Sequence, residues 1–207
     1  MKKCVIVGGA GIDNYYRIAD YLSDDDYFVY CDSGLKHLDA LGYEPDLLIG
    51  DWDSHENPHL DAETITLPHI KDDTDSFFAV KECVKRGFEE FILIGMLGGR
   101  FDHSLGNLSA LLYLKEQGKK AVMLDDFSEI AVIEAGETAC VDGNFSYFSL
   151  INLTGDAHGF TIRNALYPLD KAEISWDWQY AVSNEVLPGE TAEISLESGR
   201  ALLFKVY

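Results

Sequence analysis

Acidic side chains cluster at three points in the first half of the chain. They lie in the segments Gly50-Asp51-Trp52-Asp53-Ser54, Lys71-Asp72-Asp73-Thr74-Asp75 and Gly98-Gly99-Arg100-Phe101-Asp102-His103. Each segment stands where a predicted strand ends or a predicted helix begins, and open α/β sheets bind ligands at the carboxyl ends of their strands. Carboxylates gathered there suit a divalent metal, and the Gly-Gly-Arg turn suits phosphates. The sequence therefore indicates Mg²⁺-dependent chemistry on a nucleotide.

The first cluster has the spacing of a metal-binding pair. Asp51 and Asp53 are two residues apart at a strand end, so an extended chain would point both side chains to the same side. Mg²⁺ prefers oxygen ligands and usually takes one or two carboxylates together with phosphate oxygens and waters. An isolated Asp-x-Asp is also common in polar loops. Trp52, on the opposite side, is expected to pack into the core.

Two further aspartates could join this pair. Asp75 precedes a predicted helix and could face the strand ends, whereas Asp73 is better explained as a helix cap or dipole partner. Asp32 follows another predicted strand and could complete the acidic ring, although an Asp-Ser-Gly turn is also a common structural element. Lys71 would be available to a phosphate.

The third cluster introduces a helix whose free backbone N–H groups could hold an anion. Arg100 can place its guanidinium fork on phosphate oxygens. Asp102 is equally well explained as a helix cap or as a functional group. His103 could donate a hydrogen bond to a phosphate or could be an ordinary surface histidine. The Gly8-Gly9-Ala10-Gly11 loop lacks the spacing of a dinucleotide-binding fingerprint.

The elements that position these residues change in type along the chain. Up to about residue 126, buried strands (3–7, 27–31, 47–49, 91–94 and 121–124) alternate with helical repeats (15–22, 35–41, 77–88 and 105–114), which predicts a mostly parallel sheet. Beyond that point short alternating stretches, at 130–133, 146–153, 160–162, 192–196 and 201–207, predict a small antiparallel sandwich or barrel. We therefore expect a Rossmann-like α/β domain over residues 1–130 and a β-sandwich domain over residues 131–207.

The composition limits the partners of the chain. Its 207 residues carry a formal net charge of −20, from 36 acidic and 16 basic residues. Nucleic acids and anionic membranes need a basic surface, so the charge favours cationic partners instead. The four cysteines have no Cys-x-x-Cys spacing, and the apolar run after Met1 is too short for a signal peptide. We expect reduced thiols, no membrane span and a cytoplasmic location.

Aromatic residues are dense near the end of the chain. Trp176, Trp178 and Tyr180 alternate, which would place them on one face of a strand and is typical of core residues. An aromatic side chain at the rim of a pocket, such as Tyr167, could instead stack on a flat heterocycle, and a cationic ring would gain additional attraction.

The ordered set of motifs resembles the thiamine pyrophosphokinase family, and the resemblance extends over nearly the whole chain. The matching segments are Cys31-Asp32-Ser33-Gly34, Pro45-Asp46, Gly50-Asp51-Trp52-Asp53-Ser54, Lys71-Asp72-Asp73-Thr74-Asp75, Gly98-Gly99-Arg100-Phe101-Asp102-His103 with Asn107, Tyr167-Pro168-Leu169 and Ser183-Asn184-Glu185. The resemblance implies transfer of pyrophosphate from ATP to the hydroxyethyl group of thiamine, with release of AMP. It also implies a homodimer whose active sites lie between the α/β domain of one subunit and the sandwich of the other.

The resemblance also assigns roles to individual residues. The metal ligands would be Asp32, Asp51, Asp53 and Asp75, and the catalytic groups would be Asp51, Asp53, Asp75 and Arg100. The residues that it assigns to ATP are Asp32, Ser33, Gly34, Lys71, Asp72, Arg100, Asp102, His103, Asn107 and Asp125. Tyr167, Ser183 and Asn184 would bind thiamine.

Two other classes of function remain open from the residues themselves. One is a Mg²⁺-dependent nucleotide phosphohydrolase, which would use water as its nucleophile and release phosphate without thiamine. The other is a non-catalytic module in which the β domain binds thiamine or a sugar. Phosphoryl transfer asks a protein mainly for positioning and charge neutralisation, so the acidic clusters alone do not separate a transferase from a hydrolase.

Overall fold

The chain divides into two compact units. The computed structural model describes residues 2–52, 60–68 and 72–207. The first unit is Met1–Asp126 and the second is Phe127–Tyr207. The expected combination of a mostly parallel α/β fold with a separate antiparallel sheet is confirmed.

The first unit alternates strands and helices. Its strands are β1 (Cys4–Val7), β2 (Tyr27–Cys31), β3 (Leu47–Gly50), β4 (Glu63–Thr66), β5 (Glu90–Ile94) and β6 (Lys120–Leu124). Its helices are α1 (Tyr15–Ala19), a 3₁₀ helix (Asp32–His37), α2 (Leu38–Leu41), α3 (Asp75–Lys85) and α4 (Phe101–Glu116). Among the described residues, no helix has both the length and the apolar character needed to cross a membrane.

The six strands of the first unit lie side by side in the order β4-β3-β2-β1-β5-β6. Their pairings are parallel, with Cys4 opposite Tyr27 on one side and Phe91 on the other. Every residue of β1 and β3 is buried, which explains the continuous apolar runs, because parallel strands have both faces covered. All six carboxyl ends therefore meet at one edge of the sheet.

Two elements of this unit differ from the sequence-based expectation. Strand β4 was not predicted, because it is an edge strand without buried residues and its Glu-Thr-Ile-Thr sequence carries little apolar signal. The helix expected over 35–41 begins earlier, as the 3₁₀ helix Asp32–His37, and only its last turn is α-helical. Trp52 packs against the apolar cluster of this unit, as expected, but remains partly exposed.

The regular secondary-structure elements of the second unit are all strands. These are β7 (Ser128–Glu134), β8 (Ala139–Val141), β9 (Tyr147–Ile151), β10 (Phe160–Arg163), β11 (Leu169–Ala172), β12 (Ala192–Ser195) and β13 (Arg200–Val206). Strands β7, β13 and β9 pair antiparallel, and β11, β10, β12 and β8 form a four-stranded antiparallel sheet. Buried side chains from both sheets, such as Phe148 and Phe160, share one apolar core.

The expectation that Trp176, Trp178 and Tyr180 are core residues was wrong. Their exposed fractions are 70%, 68% and 40%, respectively. The alternation rule assumes an extended strand, but here the chain makes a tight turn in which the Trp178 N–H donates to the Ser175 carbonyl. Trp178 and Tyr180 instead pack on each other, with ring centroids 5.0 Å apart. These rings form an exposed aromatic surface.

All four cysteines carry free thiols. Cys4, Cys31 and Cys83 are buried, and Cys140 is exposed. Burial raises the pKa of the Cys4 thiol well above its usual range, so this group stays protonated and behaves as a small apolar side chain.

The buried Asn152 connects two loops of the second unit, the one between β9 and β10 and the one after β11. Its Nδ2 donates to the carbonyls of Ala157, at 3.0 Å, and Ile174, at 2.7 Å. Its Oδ1 accepts from the Gly155 N–H at 3.0 Å. Because the side chain is only 1% exposed, water cannot replace these bonds without a rearrangement of the loops.

We expect Asn152→Ala to lower the free energy of unfolding by about 2–4 kcal/mol, because it leaves buried backbone groups without partners. Urea denaturation measures the change. Asn144→Ala, at an exposed turn position, is the matched control and should change stability by less than about 0.5 kcal/mol. Equal stability of the two variants would contradict this account of Asn152.

Candidate active site

A cavity of about 620 Å³ lies at the carboxyl edge of the parallel sheet. Its walls are the residues that follow β1, β2, β3 and β5, the first turn of α3 and the beginning of α4. Strands β2 and β3 continue from β1 to one side and β5 and β6 to the other, so the cavity includes the point where the strand order reverses. Such a point is the usual ligand-binding crevice of an open α/β sheet.

Three carboxylates converge on this cavity. Asp32, Asp51 and Asp75 each offer an oxygen, and these oxygens lie within 4.8 Å of one another. Asp32 is buried, and the other two are partly buried. At an effective dielectric constant of about 20, two such charges repel each other by roughly 3 kcal/mol. A cation would offset this repulsion, and three carboxylate oxygens are a suitable donor set for Mg²⁺.

Close packing of the backbone brings two of these carboxylates together. Asp32 is the first residue of the 3₁₀ helix after β2, and Gly50 is the last residue of the neighbouring strand β3. A Cβ on Gly50 would lie 2.8 Å from the Cβ of Asp32, which is too close for any side chain. The glycine of the Gly50-Asp51 motif therefore makes room for the aspartate of the adjacent strand.

The third carboxylate depends on a helix cap. The Thr74 hydroxyl accepts a hydrogen bond from the Phe77 N–H at 3.3 Å, which fixes the start of α3. Asp75 is consequently the first helical residue and reaches the cavity. The expectation that Asp73 is the cap was wrong, since Asp73 forms an ion pair with Lys81 at 2.5 Å.

Asp53 and Lys71 lie outside the described residues, so their predicted roles remain predictions. The backbone at Trp52 bears on the argument that paired Asp51 with Asp53 by the alternation of an extended strand. The backbone of Trp52 is left-handed, with φ of 57°, so the chain is not extended between Asp51 and Asp53. The alternation rule used to pair these two residues therefore does not apply at this turn.

The beginning of α4 forms the opposite wall. Ser104 closes the preceding loop, because its Oγ accepts from the Gly98 N–H at 3.0 Å. Arg100 and His103 both line the cavity. The Arg100 Nη2 lies 2.6 Å from the Asp102 Oδ2, and this hydrogen bond lowers the pKa of Asp102 to about 2. Asp102 is thus a partner of Arg100 rather than a helix cap.

Asn107 connects three elements of the wall. Its Nδ2 donates to the Met96 carbonyl after β5 at 2.7 Å, and its Oδ1 accepts from the Ser76 hydroxyl of α3 at 3.0 Å. The side chain also lines the cavity. Asn107 therefore connects α3 and α4 in addition to facing the cavity.

Four residues predicted to bind ATP do not line the cavity. Gly34 is buried, and a Cβ there would come within 2.2 Å of the Val7 carbonyl oxygen, so a glycine is required by backbone packing. Asp72 and Asp102 are exposed and Asp125 is partly buried, but none of the three is part of the cavity wall. The predicted residues that do line it are Asp32, Ser33, Asp51, Asp75, Arg100, His103 and Asn107.

The sequence-based prediction missed two features of the wall. The loop Gly8–Gly11 lines the cavity although it lacks the dinucleotide fingerprint, and so does Lys36 of the 3₁₀ helix. Lys36 follows Ser33 by three residues, a spacing that would have indicated a shared face if the 3₁₀ helix had been predicted. The Gly8–Gly11 loop follows a buried strand, which was the available signal for it.

The buried His37 supports the Gly8–Gly11 loop through a hydrogen bond to its backbone. The Nε2 of His37 lies 2.7 Å from the Ala10 carbonyl, and its Nδ1 lies 2.7 Å from the Tyr15 hydroxyl. A carbonyl can only accept, so Nε2 carries the proton and Nδ1 accepts from Tyr15. Burial lowers the pKa of His37, and the neighbouring Lys36 ammonium acts in the same direction. His37 is therefore a neutral strut at neutral pH.

The residues predicted to bind thiamine lie together in the second unit. The Tyr167 side chain is 63% exposed, whereas Asn184 is 3% exposed. The Asn184 Oδ1 accepts from the Tyr167 N–H at 3.0 Å, and its Nδ2 donates to the Tyr167 carbonyl at 2.8 Å. Ser183 is exposed, and its N–H donates to Ser149 Oγ. The amide of Asn184 thus fixes the backbone that presents the Tyr167 ring.

The parallel sheet and its carboxyl-edge cavity define an α/β enzyme. Profiles described as the thiamin pyrophosphokinase catalytic domain and the thiamin pyrophosphokinase vitamin B1 binding domain match residues 18–123 and 137–201, respectively. Because these matches cover more than half of its residues, the chain belongs to the thiamine pyrophosphokinase family.

Individual relatives agree with this assignment. A thiamine pyrophosphokinase from Bacillus subtilis is 27% identical over 195 residues, covering 90% of this chain and 91% of the relative. The crystal structure of thiamine pyrophosphokinase from the same species has a TM-score of 0.86 at 23% identity, with 99% of both chains covered. The enzyme from Geobacillus thermodenitrificans has a TM-score of 0.84 at 26% identity, with 99% of this chain and 97% of that chain covered.

The lowered pKa of His37 predicts a specific pH dependence of stability. The unfolded chain takes up a proton near the usual pKa of about 6.5 before the folded chain does. The contribution of His37 is therefore complete above about pH 6.5 and is lost as the pH falls toward the lower, folded-state pKa. His37→Gln keeps an N–H donor for Ala10 but cannot titrate, so its stability should decline less between pH 7.5 and pH 5.5.

Urea unfolding of both proteins at the two pH values measures this difference. The additional loss in the unsubstituted chain can reach about 1.4 kcal/mol per pH unit for one proton. Parallel pH profiles of the two proteins would show that His37 is not the group responsible.

Proposed function

We propose that this protein is an ATP:thiamine diphosphotransferase that forms thiamine diphosphate and AMP. The observation that carries the proposal is the convergence of Asp32, Asp51 and Asp75 on a cavity that also contains the N-terminal region of α4. Such a cavity combines a cation site with donors for phosphate oxygens. The family membership of the chain supplies the particular acceptor and donor. The phosphohydrolase and the non-catalytic binding module are not favoured by that membership.

Asp32, Asp51 and Asp75 would hold Mg²⁺, and Asp53 is included on the resemblance of its motif. Bound Mg²⁺ supplies positive charge that neutralises phosphate oxygens during phosphoryl transfer. The protein contributes the fixed positions of the three carboxylates, since the start of the 3₁₀ helix, the end of β3 and the first turn of α3 are each locked by packing or capping.

The remaining wall of the cavity would position the triphosphate of ATP. Arg100 is the guanidinium available for the leaving phosphate, and His103, Asn107 and Ser33 offer hydrogen-bonding groups. Gly34 shapes the wall without touching the ligand. Lys71, Asp72, Asp102 and Asp125 are included on the resemblance alone, with Asp102 acting through its ion pair to Arg100.

Thiamine would bind at the second unit. The exposed Tyr167 ring is suited to stack on a flat heterocycle, and the acidic chain attracts the positive thiazolium. Asn184 would hold the Tyr167 backbone in place, and Ser183 would offer its hydroxyl. On the family pattern we propose a cytoplasmic homodimer in which one subunit supplies these residues to the α/β unit of its partner.

The reaction itself is an in-line displacement. The hydroxyl oxygen of thiamine attacks the β-phosphorus of ATP, a new P–O bond forms, and the bond between the β-phosphorus and the α,β-bridging oxygen breaks to release AMP. The hydroxyl proton passes to water or to a carboxylate of the acidic triad, which consists of Asp32, Asp51 and Asp75. Arg100 offsets the negative charge that develops on the departing AMP.

The decisive experiment identifies the products by mass after incubation of the protein with ATP, Mg²⁺ and thiamine. We expect AMP and thiamine diphosphate in equal amounts, with AMP formation strictly dependent on thiamine. Phosphate release in the absence of thiamine would support the hydrolase, and tight thiamine binding without turnover would support the binding module.

Replacement of Asp51 by Asn should lower turnover by at least about 100-fold, because it removes a charged metal ligand while keeping the side-chain volume. Circular dichroism should remain unchanged, and the unfolding transition in metal-free buffer should not fall, because the substitution removes one of the repelling charges. Asp61→Asn, at an exposed position outside the cavity wall, is the control for the same Asp-to-Asn change and should keep near-normal activity. Near-normal activity of Asp51→Asn would refute its assignment to the metal site.

A further inference from the structure

We propose that Lys36 binds the polyphosphate chain of the nucleotide. The inference rests on the proposed function, because it assigns to the same cavity a cation that the motifs of the sequence did not include. Lys36 lines the cavity on the side of the Gly8–Gly11 loop. Its ammonium would exchange a backbone carbonyl for phosphate oxygens when the nucleotide binds.

The position of Lys36 is fixed by the helix that also carries a metal-site carboxylate. Asp32, Ser33 and Lys36 of the 3₁₀ helix line the cavity, whereas Gly34 and His37 of the same helix are buried. Close packing of Gly34 on the Val7 carbonyl and the two hydrogen bonds of His37 hold this helix in place. One rigid element therefore presents a carboxylate and an ammonium to the same ligand.

The present partner of Lys36 is a weak one. Its Nζ donates to the Gly9 carbonyl at 2.5 Å, and it forms no ion pair with any carboxylate that the structure describes. A phosphate oxygen carries negative charge and therefore attracts the ammonium more strongly than the neutral carbonyl oxygen does. A phosphate oxygen would therefore displace the Gly9 carbonyl at little cost, since water can reach that partly exposed loop.

The charge of the cavity explains why a second cation is useful. Arg100 is already hydrogen-bonded to Asp102 through both Nε and Nη2, so part of its charge is neutralised before the nucleotide arrives. The acidic triad repels the phosphates until a metal ion is present. Lys36 extends from the loop side of the cavity and supplies positive charge there.

Titration calorimetry in one magnesium-containing buffer separates this role from a purely structural one. The ligands are ATP, inorganic tripolyphosphate and adenosine, and the variants are Lys36→Met and Lys36→Arg. Lys120→Met is the matched control, because Lys120 is exposed at the amino end of β6, pairs with Glu90 and lies outside the cavity wall.

We expect Lys36→Met to weaken the binding of ATP and of tripolyphosphate by about 10-fold or more, because one charge-assisted hydrogen bond is lost. Its affinity for adenosine should be unchanged. Lys36→Arg should recover most of the lost affinity, and Lys120→Met should match the unsubstituted protein. In steady-state assays Lys36→Met should raise the KM for ATP more than it changes the KM for thiamine.

Three results would overturn the proposal. The first is an unchanged ATP affinity in Lys36→Met. The second is an equal loss of affinity for adenosine and tripolyphosphate, which would identify Lys36 as a support of the loop. The third is an absence of tripolyphosphate binding by the unsubstituted protein. Failure of the proposed function is a separate result. A protein that binds tripolyphosphate through Lys36 but forms no thiamine diphosphate would leave the Lys36 assignment intact.

Discussion

Mutual repulsion of three carboxylates is the constraint on which the structure of the cavity depends. Asp32, Asp51 and Asp75 come from three separate segments of the chain, yet their oxygens lie within 4.8 Å of one another. Like charges at such distances destabilise a fold unless a cation is bound or the backbone holds them together. Packing of the parallel sheet and the cap of α3 hold the segments that carry these carboxylates, as the close approach of Gly50 to Asp32 and the Thr74 hydrogen bond show.

The parallel sheet provides that packing. Strands β1, β2, β3 and β5 are almost entirely buried, and their common direction makes every strand end open onto the same edge. Glycines at positions 34 and 50 let backbones approach so closely that neighbouring loops cannot move apart independently. The site is therefore built on close backbone contacts, to which side-chain hydrogen bonds such as those of Asn107 and His37 add further support.

The second unit follows a different principle. Its interior is apolar except for a few groups such as Asn152 and Asn184, whose amides are hydrogen-bonded to the backbone of loops. These two buried amides fix irregular segments outside the strands, and the Asn184 backbone also pairs with Phe148 of β9. Large aromatic side chains consequently remain exposed on loops with defined positions, as Tyr167 and Trp176 do, and this is an arrangement suited to recognition of a flat ligand.

How far the site could be predicted varies with the kind of residue. Aspartates directly after apolar strands were identifiable, because a buried strand leads its next polar residue to the sheet edge. Lys36 and the Gly8–Gly11 loop were missed, since their place in the cavity depends on contacts between segments far apart in sequence. Asp75 lines the cavity and Asp73 does not, as the sequence had suggested. The N-cap of α3 is Thr74 rather than Asp73, because local backbone geometry decides which side chain caps a helix.

The sequence by itself determined the alternation of strands and helices, the change of pattern beyond about residue 126 and the motifs that mark the family, because hydrophobic periodicity and turn residues act locally. Only the tertiary structure decided that Asp32, Asp51 and Asp75 share one cavity, that Gly34 serves packing and that Trp176, Trp178 and Tyr180 are exposed. The physical reason is that convergence, close backbone approach and burial are relations between distant segments. Such relations are fixed by the packing of the whole sheet, and no local pattern of residues encodes them.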